Sequence, residues 1–150
     1  MKRSFWLYLM NILVIIFIVF MGLTFITLPF IIDKYAELSG KIINNFLWVK
    51  IFLYFTAVPF TVLLIMVKKL VNNILRKDPF CQNSITALNI ISICAFTDFI
   101  LYAFGTAFLL KDLISLVFTI AAFMIGLTSL ILSQLVKTAI AIKQENDLTI

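Results

Sequence analysis

Residues 4–32 read SFWLYLMNILVIIFIVFMGLTFITLPFII, 29 consecutive positions without a charge. Inside them, Ile12-Leu13-Val14-Ile15-Ile16-Phe17-Ile18-Val19-Phe20 is unbroken apolar sequence. A spanning helix needs about 20 apolar residues to cross a hydrocarbon core about 30 Å thick. A membrane β-strand would alternate apolar and polar residues instead. Backbone groups in lipid must find their partners within the segment, so a continuous apolar run is a helix. Ile, Val and Phe favour strands in water, but lipid overrides that preference. Lys2-Arg3 followed by an apolar run opens like a signal peptide. The run exceeds a signal core of about 7–15 residues, and no Ala-x-Ala-like site follows it. It is therefore the first span.

The same reading extends outward along the 150 residues. Residues 51–67 form a charge-free stretch of 17, and 113–136 one of 24. Residues 79–110 would form a third, broken by Asp98 alone. Hydrophobic residues make up 63% and charged ones 13%, against about 45–50% and about 25% in soluble domains. This excludes an ordinary soluble domain, a disordered chain and a disulfide scaffold. The expected fold is all-α: an integral membrane four-helix transmembrane bundle forming one domain over 1–150. Its spans are expected near 5–28, 47–67, 85–109 and 114–136, with a short tail over 137–150.

Orientation follows from Lys and Arg. One side carries Lys2, Arg3, Lys68, Lys69, Arg76, Lys77, Lys137 and Lys143, and the other Lys34, Lys41, Lys50 and Lys111. Eight against four puts both termini in the cytoplasm of a bacterial cell membrane. Trp6 then lies at the inner interface, with Tyr35 and Trp48 at the outer one. The net charge of +5 serves this orientation and meets anionic lipid. It implies the bilayer as partner and no direct nucleic acid.

The connections are short. An outer loop over about 29–46 has room for one interfacial helix. A tight turn at Lys111-Asp112 makes spans three and four a hairpin. In the inner loop, Leu70, Val71, Ile74 and Leu75 have helical spacing, which extends span two into the cytoplasm. Asp78-Pro79 stops it, because a residue before proline avoids the helical region. Asn83 or Ser84 is expected to cap span three.

Asp98 is the sharpest chemical feature. It falls near the middle of span three, where a charge is expensive and usually faces the bundle interior. Its helical face includes Ala87, Ile91, Cys94, Leu101, Tyr102 and Gly105. No Lys, Arg or His is expected at its depth. It reads as a proton or cation site, or as a protonated acid hydrogen-bonded to a nearby Thr, Ser or carbonyl. Pro59 should free the carbonyl of Phe55, with Thr56 and Thr61 placed to re-satisfy the backbone. Ala122, Gly126, Ser129 and Ser133 form a small-residue stripe for close helix packing, within the chain or in a homo-oligomer. Cys81 and Cys94 are too few and too far apart for a metal or redox site. The chain has no His and only four Gly, which leaves no common general base and no phosphate loop. No enzyme activity, metal or cofactor is expected.

The tail Glu145-Asn146-Asp147-Leu148-Thr149-Ile150 is the most distinctive stretch, and Pro79-Phe80, Asn83-Ser84 and Ala87-Leu88 form the second. Both resemble the YoaS-like family of small bacterial membrane proteins, a domain-of-unknown-function family. The resemblance implies a four-span layout and a gene neighbour encoding a small helix-turn-helix regulator, hence the membrane half of a regulatory pair. It also implies an apolar residue where Asp98 stands, so it carries no family-wide proton mechanism. The expected function is a non-catalytic protein that binds or senses through its inner face. Pro79, Phe80, Glu145, Asn146, Asp147, Leu148 and Thr149 would meet a cytoplasmic regulatory protein. The alternative is a small transporter, or an immunity- or resistance-type membrane protein, working through Asp98 with Pro59 opening a path.

Overall fold

The structure, a computed structural model, describes residues 2–39, 44–76, 78–110 and 113–148, without the side chains of 2–4, 36, 39, 44–46, 147 and 148. Four helices follow one another: α1 (Lys2–Ser39), α2 (Asn44–Leu75), α3 (Gln82–Gly105) and α4 (Leu113–Leu148). A π-helical turn, Thr106–Leu110, ends α3. Each helix is long and apolar enough to cross a membrane, and no strand occurs among the described residues.

The helices outrun the spans expected from the sequence. At 1.5 Å per residue, the 38 residues of α1 and the 36 of α4 extend about 57 and about 54 Å, well beyond the hydrocarbon core. Most of the expected outer loop is therefore helix, since α1 continues through Pro29 to Ser39. A membrane helix tolerates an internal proline, and tertiary ties hold the extension. Ile32 is buried and Asp33 pairs with Lys50 of α2. Gly40, Lys41, the expected turn at Lys111-Asp112, and Thr149 lie outside the described residues.

Lipid inverts the usual core. Thirty or more large apolar side chains face outward, Phe108, Leu113 and Ile26 among the most exposed. The buried polar set is Thr56, Ser84, Ser92, Asp98, Ser115, Thr119, Ser129 and Ser133. Apolar tails surround the protein, so burial of apolar area drives little, and close approach and hydrogen bonds pack the helices. The α3–α4 seam shows this. Ser92 donates to the Gly126 carbonyl at 3.1 Å, and Ser133 bonds Asn89 Oδ1 at 2.6 Å. A Cβ on Gly126 would stand 3.1 Å from the Phe96 ring. The stripe Gly126, Ser129 and Ser133 is thus buried against α3 within the chain.

The order of packing is sequential. α1 packs along α2, α2 along α3 and α3 along α4. Among the described residues, α1 and α4 make no close backbone approach to each other. α1 is pinned to α2 at three levels: Lys68 to Asn11, the Tyr54 hydroxyl to the Phe25 carbonyl at 2.9 Å, and Lys50 to Asp33. The α2–α3 turn follows the sequence at Asp78-Pro79 but not at the cap. The N-cap position is Cys81, in extended conformation, with no side-chain cap bond. Ser84 lies inside the first turn, where its hydroxyl receives Asn73 Nδ2 at 3.1 Å and its own N–H bonds the Cys81 carbonyl. A tie to α2 has taken the hydroxyl that the sequence offered as a cap.

Candidate functional site: an intramembrane groove floored by Asp98

Asp98 sits two residues from the midpoint of the 29-residue span Gln82–Leu110. It is 4% exposed, and its Oδ1 has no hydrogen-bond partner. The face anticipated from helical spacing is the one that packs inward. Ala87, Ile91 and Gly105 are buried, and Cys94, Leu101 and Tyr102 half-buried. The reading of Asp98 as an acid bonded to a nearby Thr, Ser or carbonyl fails at Oδ1. The hydroxyls of Thr24, Thr56 and Thr97 bond carbonyls of their own helices.

Asp98 lines a cavity of about 430 Å³, within the range of about 300–1,000 Å³ usual for small-ligand sites. All four helices contribute to it. α2 and α3 form its floor through Thr56, Ala57, Ala95 and Asp98. Met21 and Thr24 of α1 form one wall, and Phe118 and Ala122 of α4 the other. Among the described residues the helices of the two walls make no close backbone approach to each other, so the cavity is a groove between them.

Both ends of the groove are filled. Toward the side that carries both termini, Leu63, Ile91 and Ala95 form a buried cluster with Met66, Val67, Leu70 and Cys94 around it. Toward the other side, three rings bridge three helices. Phe52 of α2 meets Tyr102 of α3 edge to face at 5.7 Å, and Tyr102 meets Phe118 of α4 at 5.8 Å. Gly105 makes room for this trio, because a Cβ there would collide with the Phe52 ring. Thr106, next along α3, holds the other buried and unpartnered side-chain oxygen.

The two threonines of the groove share one property. Thr24 gives its proton to the Phe20 carbonyl at 2.9 Å, and Thr56 gives its proton to the Leu53 carbonyl at 3.1 Å. A threonine hydroxyl has one proton and two lone pairs, so both present acceptors to the cavity. Thr61 bonds the Ala57 carbonyl at 2.7 Å. Neither Thr56 nor Thr61 therefore serves the Phe55 carbonyl, contrary to the expectation around Pro59. α2 runs through Pro59 as continuous helix.

The residues singled out at the inner face lie elsewhere. Pro79 is half-buried and Phe80 is 53% exposed in the α2–α3 turn. From there to Asp98 is 16 residues of α3, about 24 Å. Glu145 and Asn146 are exposed on the last turns of α4, which is helical through Leu148. The side chains of Asp147 and Leu148, and all of Thr149, lie outside the described residues. The sequence reading missed Thr24, Phe118 and the aromatic trio as parts of one site. Helical spacing relates residues within one helix and cannot say which helices face one cavity. Among the described residues no group of three His, Cys, Asp or Glu could hold a metal ion.

Residues 4–150 match the model of a family described as protein of unknown function, DUF2975. The chain is 35% identical to the uncharacterized membrane protein YoaS of Bacillus subtilis (strain 168) over 135 residues, covering 81% of this chain and 84% of that protein. No solved structure matches it.

Proposed function

This chain belongs to the DUF2975 family of proteins of unknown function, and from that premise we propose that it is a non-catalytic binding protein of the membrane. Its ligand site is the groove over Asp98. The observation that carries this is a buried aspartate, 4% exposed, that lines a 430 Å³ cavity and whose Oδ1 has no hydrogen-bond partner. A buried polar group without a partner costs about 1–3 kcal/mol, and a chain that keeps one has a use for it. The closed ends favour binding over transport. An apolar cluster packs on one side of the groove and an aromatic trio on the other.

The inner end supplies the second half of the proposal. Asn89 of α3 and Ser133 of α4 are bonded, so these antiparallel helices put Gln82 roughly level with residue 140. α4 then projects past α3 with residues 141–146 exposed. We read this projection, with Pro79 and Phe80, as the contact for a cytoplasmic regulatory protein. Glu145, Asn146, Asp147, Leu148 and Thr149 supply acceptors and apolar anchors there.

Thiol accessibility tests the groove. In a background with Cys81→Ser and Cys94→Ala, Ala57→Cys places a thiol in the groove, and Val58→Cys one on the lipid face. Only a thiolate reacts, and it needs water; the 430 Å³ groove, lined by Asp98 and Thr56, has the room and the polar partners to hold water that the lipid face lacks. In reconstituted vesicles, methyl methanethiosulfonate should modify the Ala57→Cys protein at least ten-fold faster than the Val58→Cys protein. Equal rates would remove the groove as a site. Affinity capture with the chain cut after Gln144 tests the inner end: the intact chain should hold a soluble regulator that the cut chain loses.

A further inference from the structure

We infer that the groove takes a lipophilic amine in its ammonium form, entering sideways from the bilayer between α1 and α4. This rests on the groove being the ligand site and adds the chemistry of what fills it.

Three observations converge on that class. The first is polarity. Asp98 Oδ1 lacks a donor, and the hydroxyl protons of Thr24 and Thr56 are spent on Phe20 and Leu53. Apart from the Tyr102 hydroxyl, which can donate, the groove thus offers acceptors at its floor and wall, and a ligand must bring most of the donors. An ammonium brings up to three N–H groups and the charge that a carboxylate in an apolar site lacks. The second is the lining. Phe60, Tyr102 and Phe118 line the same cavity as the acid, and aromatic faces attract a desolvated cation. Met21 and Leu28 of α1 and Ile125 of α4 offer aliphatic surface for a hydrocarbon chain. The third is the route. The cluster around Ile91 fills one end and the Phe52–Tyr102–Phe118 trio the other. The unpacked side lies between α1 and α4, where the surroundings are acyl chains. A solute arriving that way is already dissolved in lipid. An anion would be repelled by the acceptors, and a free sugar, although its hydroxyls can donate, would not be dissolved along the lipid route.

Protection of the groove thiol tests the inference. The probes are dodecylammonium, dodecyltrimethylammonium and dodecanol, each adjusted to equal concentration in the bilayer. Dodecylammonium should slow modification of the Ala57→Cys protein at least ten-fold, saturably. Adding Asp98→Asn should abolish that protection, and Asp98→Glu should restore part of it. Dodecyltrimethylammonium has the charge without N–H donors, and dodecanol a donor without the charge, so both should protect several-fold less. Ala121→Cys on the α4 wall provides a second thiol if the Ala57→Cys protein does not fold.

The failures are separable. A thiol that reacts in the empty groove but gains no protection from dodecylammonium overturns the ammonium class and leaves the groove as a site. Equal protection by dodecanol overturns the requirement for charge, and protection unchanged by Asp98→Asn overturns the role of the acid. Protection that rises with protein-to-lipid ratio alone gives the groove to a second copy of the chain and overturns the inference. No modification of either thiol overturns the groove reading beneath it.

Discussion

The two halves of α3 are built on opposite principles. From Ser84 to Ala95 almost every inward position is matched. Ser84 receives Asn73, Ser92 reaches the Gly126 carbonyl, Asn89 holds Ser133, and Ile91 and Ala95 close on Leu63. From Asp98 to Leu110 apolar packing continues through Tyr102 and Gly105, but the polar matching stops. Asp98 and Thr106 bury oxygens without partners, the helix loosens into a π-turn, and a groove opens beside it. π-Turns gather at functional sites, and buried unpaired polar groups in lipid mark them too. The contrast separates a half whose polar groups join helices from a half whose buried polar groups are left without partners.

The contrast predicts opposite signs for substitutions on one helix. Ile91→Ala, in the matched half, should cost about 2–4 kcal/mol, through lost contacts plus a cavity that its neighbours cannot fill. Asp98→Leu, two turns away, should stabilise the protein by about 1–3 kcal/mol, because an unpartnered polar group is replaced by an apolar one of similar size. Reversible unfolding in mixed micelles reads both. A loss of stability in the Asp98→Leu protein would mean that the carboxyl is satisfied, and the two halves would no longer differ. Thr106→Val keeps the shape and removes the second unpartnered oxygen. It should stabilise by about 1 kcal/mol, which sharpens the boundary by placing it between Ala95 and Asp98.

Much of this fold was legible because lipid makes charge rare. Gaps between charges locate four crossings, and Asp98 stands out as the one charged residue in 79–110. Asp78-Pro79 marks the end of α2 for a backbone reason that survives any environment. Helix faces were harder to read. In water, a stripe of apolar residues shows which side is buried. In lipid, Phe108 and Ile26 are as content outside as Ile91 is inside, so apolar periodicity carries little information. The faces that pack are instead written in Ser, Thr, Gly and Ala, as the stripe Gly126, Ser129 and Ser133 shows. The groove was illegible for a further reason. It exists because α1 leans on α2 alone, and no residue of α1 announces that it leaves α4 uncovered. The loop expected after residue 28 failed similarly, since the Asp33–Lys50 tie that keeps α1 helical joins residues 17 apart. Membership of a DUF2975 family with no assigned activity adds a layout and no chemistry, so the site has to be argued from this chain's own atoms.

The smallest effect separates hydrogen bonds that join helices from those that stay within one. Ser133 is buried and bonds Asn89 across the α3–α4 seam. Thr128, five residues earlier on α4, is exposed and bonds the Met124 carbonyl of its own helix at 2.9 Å. Interhelical bonds in membranes average about 0.6 kcal/mol, because the separated helices also find partners. Ser133→Ala should therefore cost about 0.6 kcal/mol, while Thr128→Ala should leave stability unchanged within error, since the hydroxyl returns to a helix that does not need it. If both substitutions cost the same, the matched half of α3 owes its stability to packing around Ile91 and Gly126 rather than to its hydroxyl bonds. Asp98 would then differ from its neighbours in charge alone, and its missing partner would be no guide to a ligand.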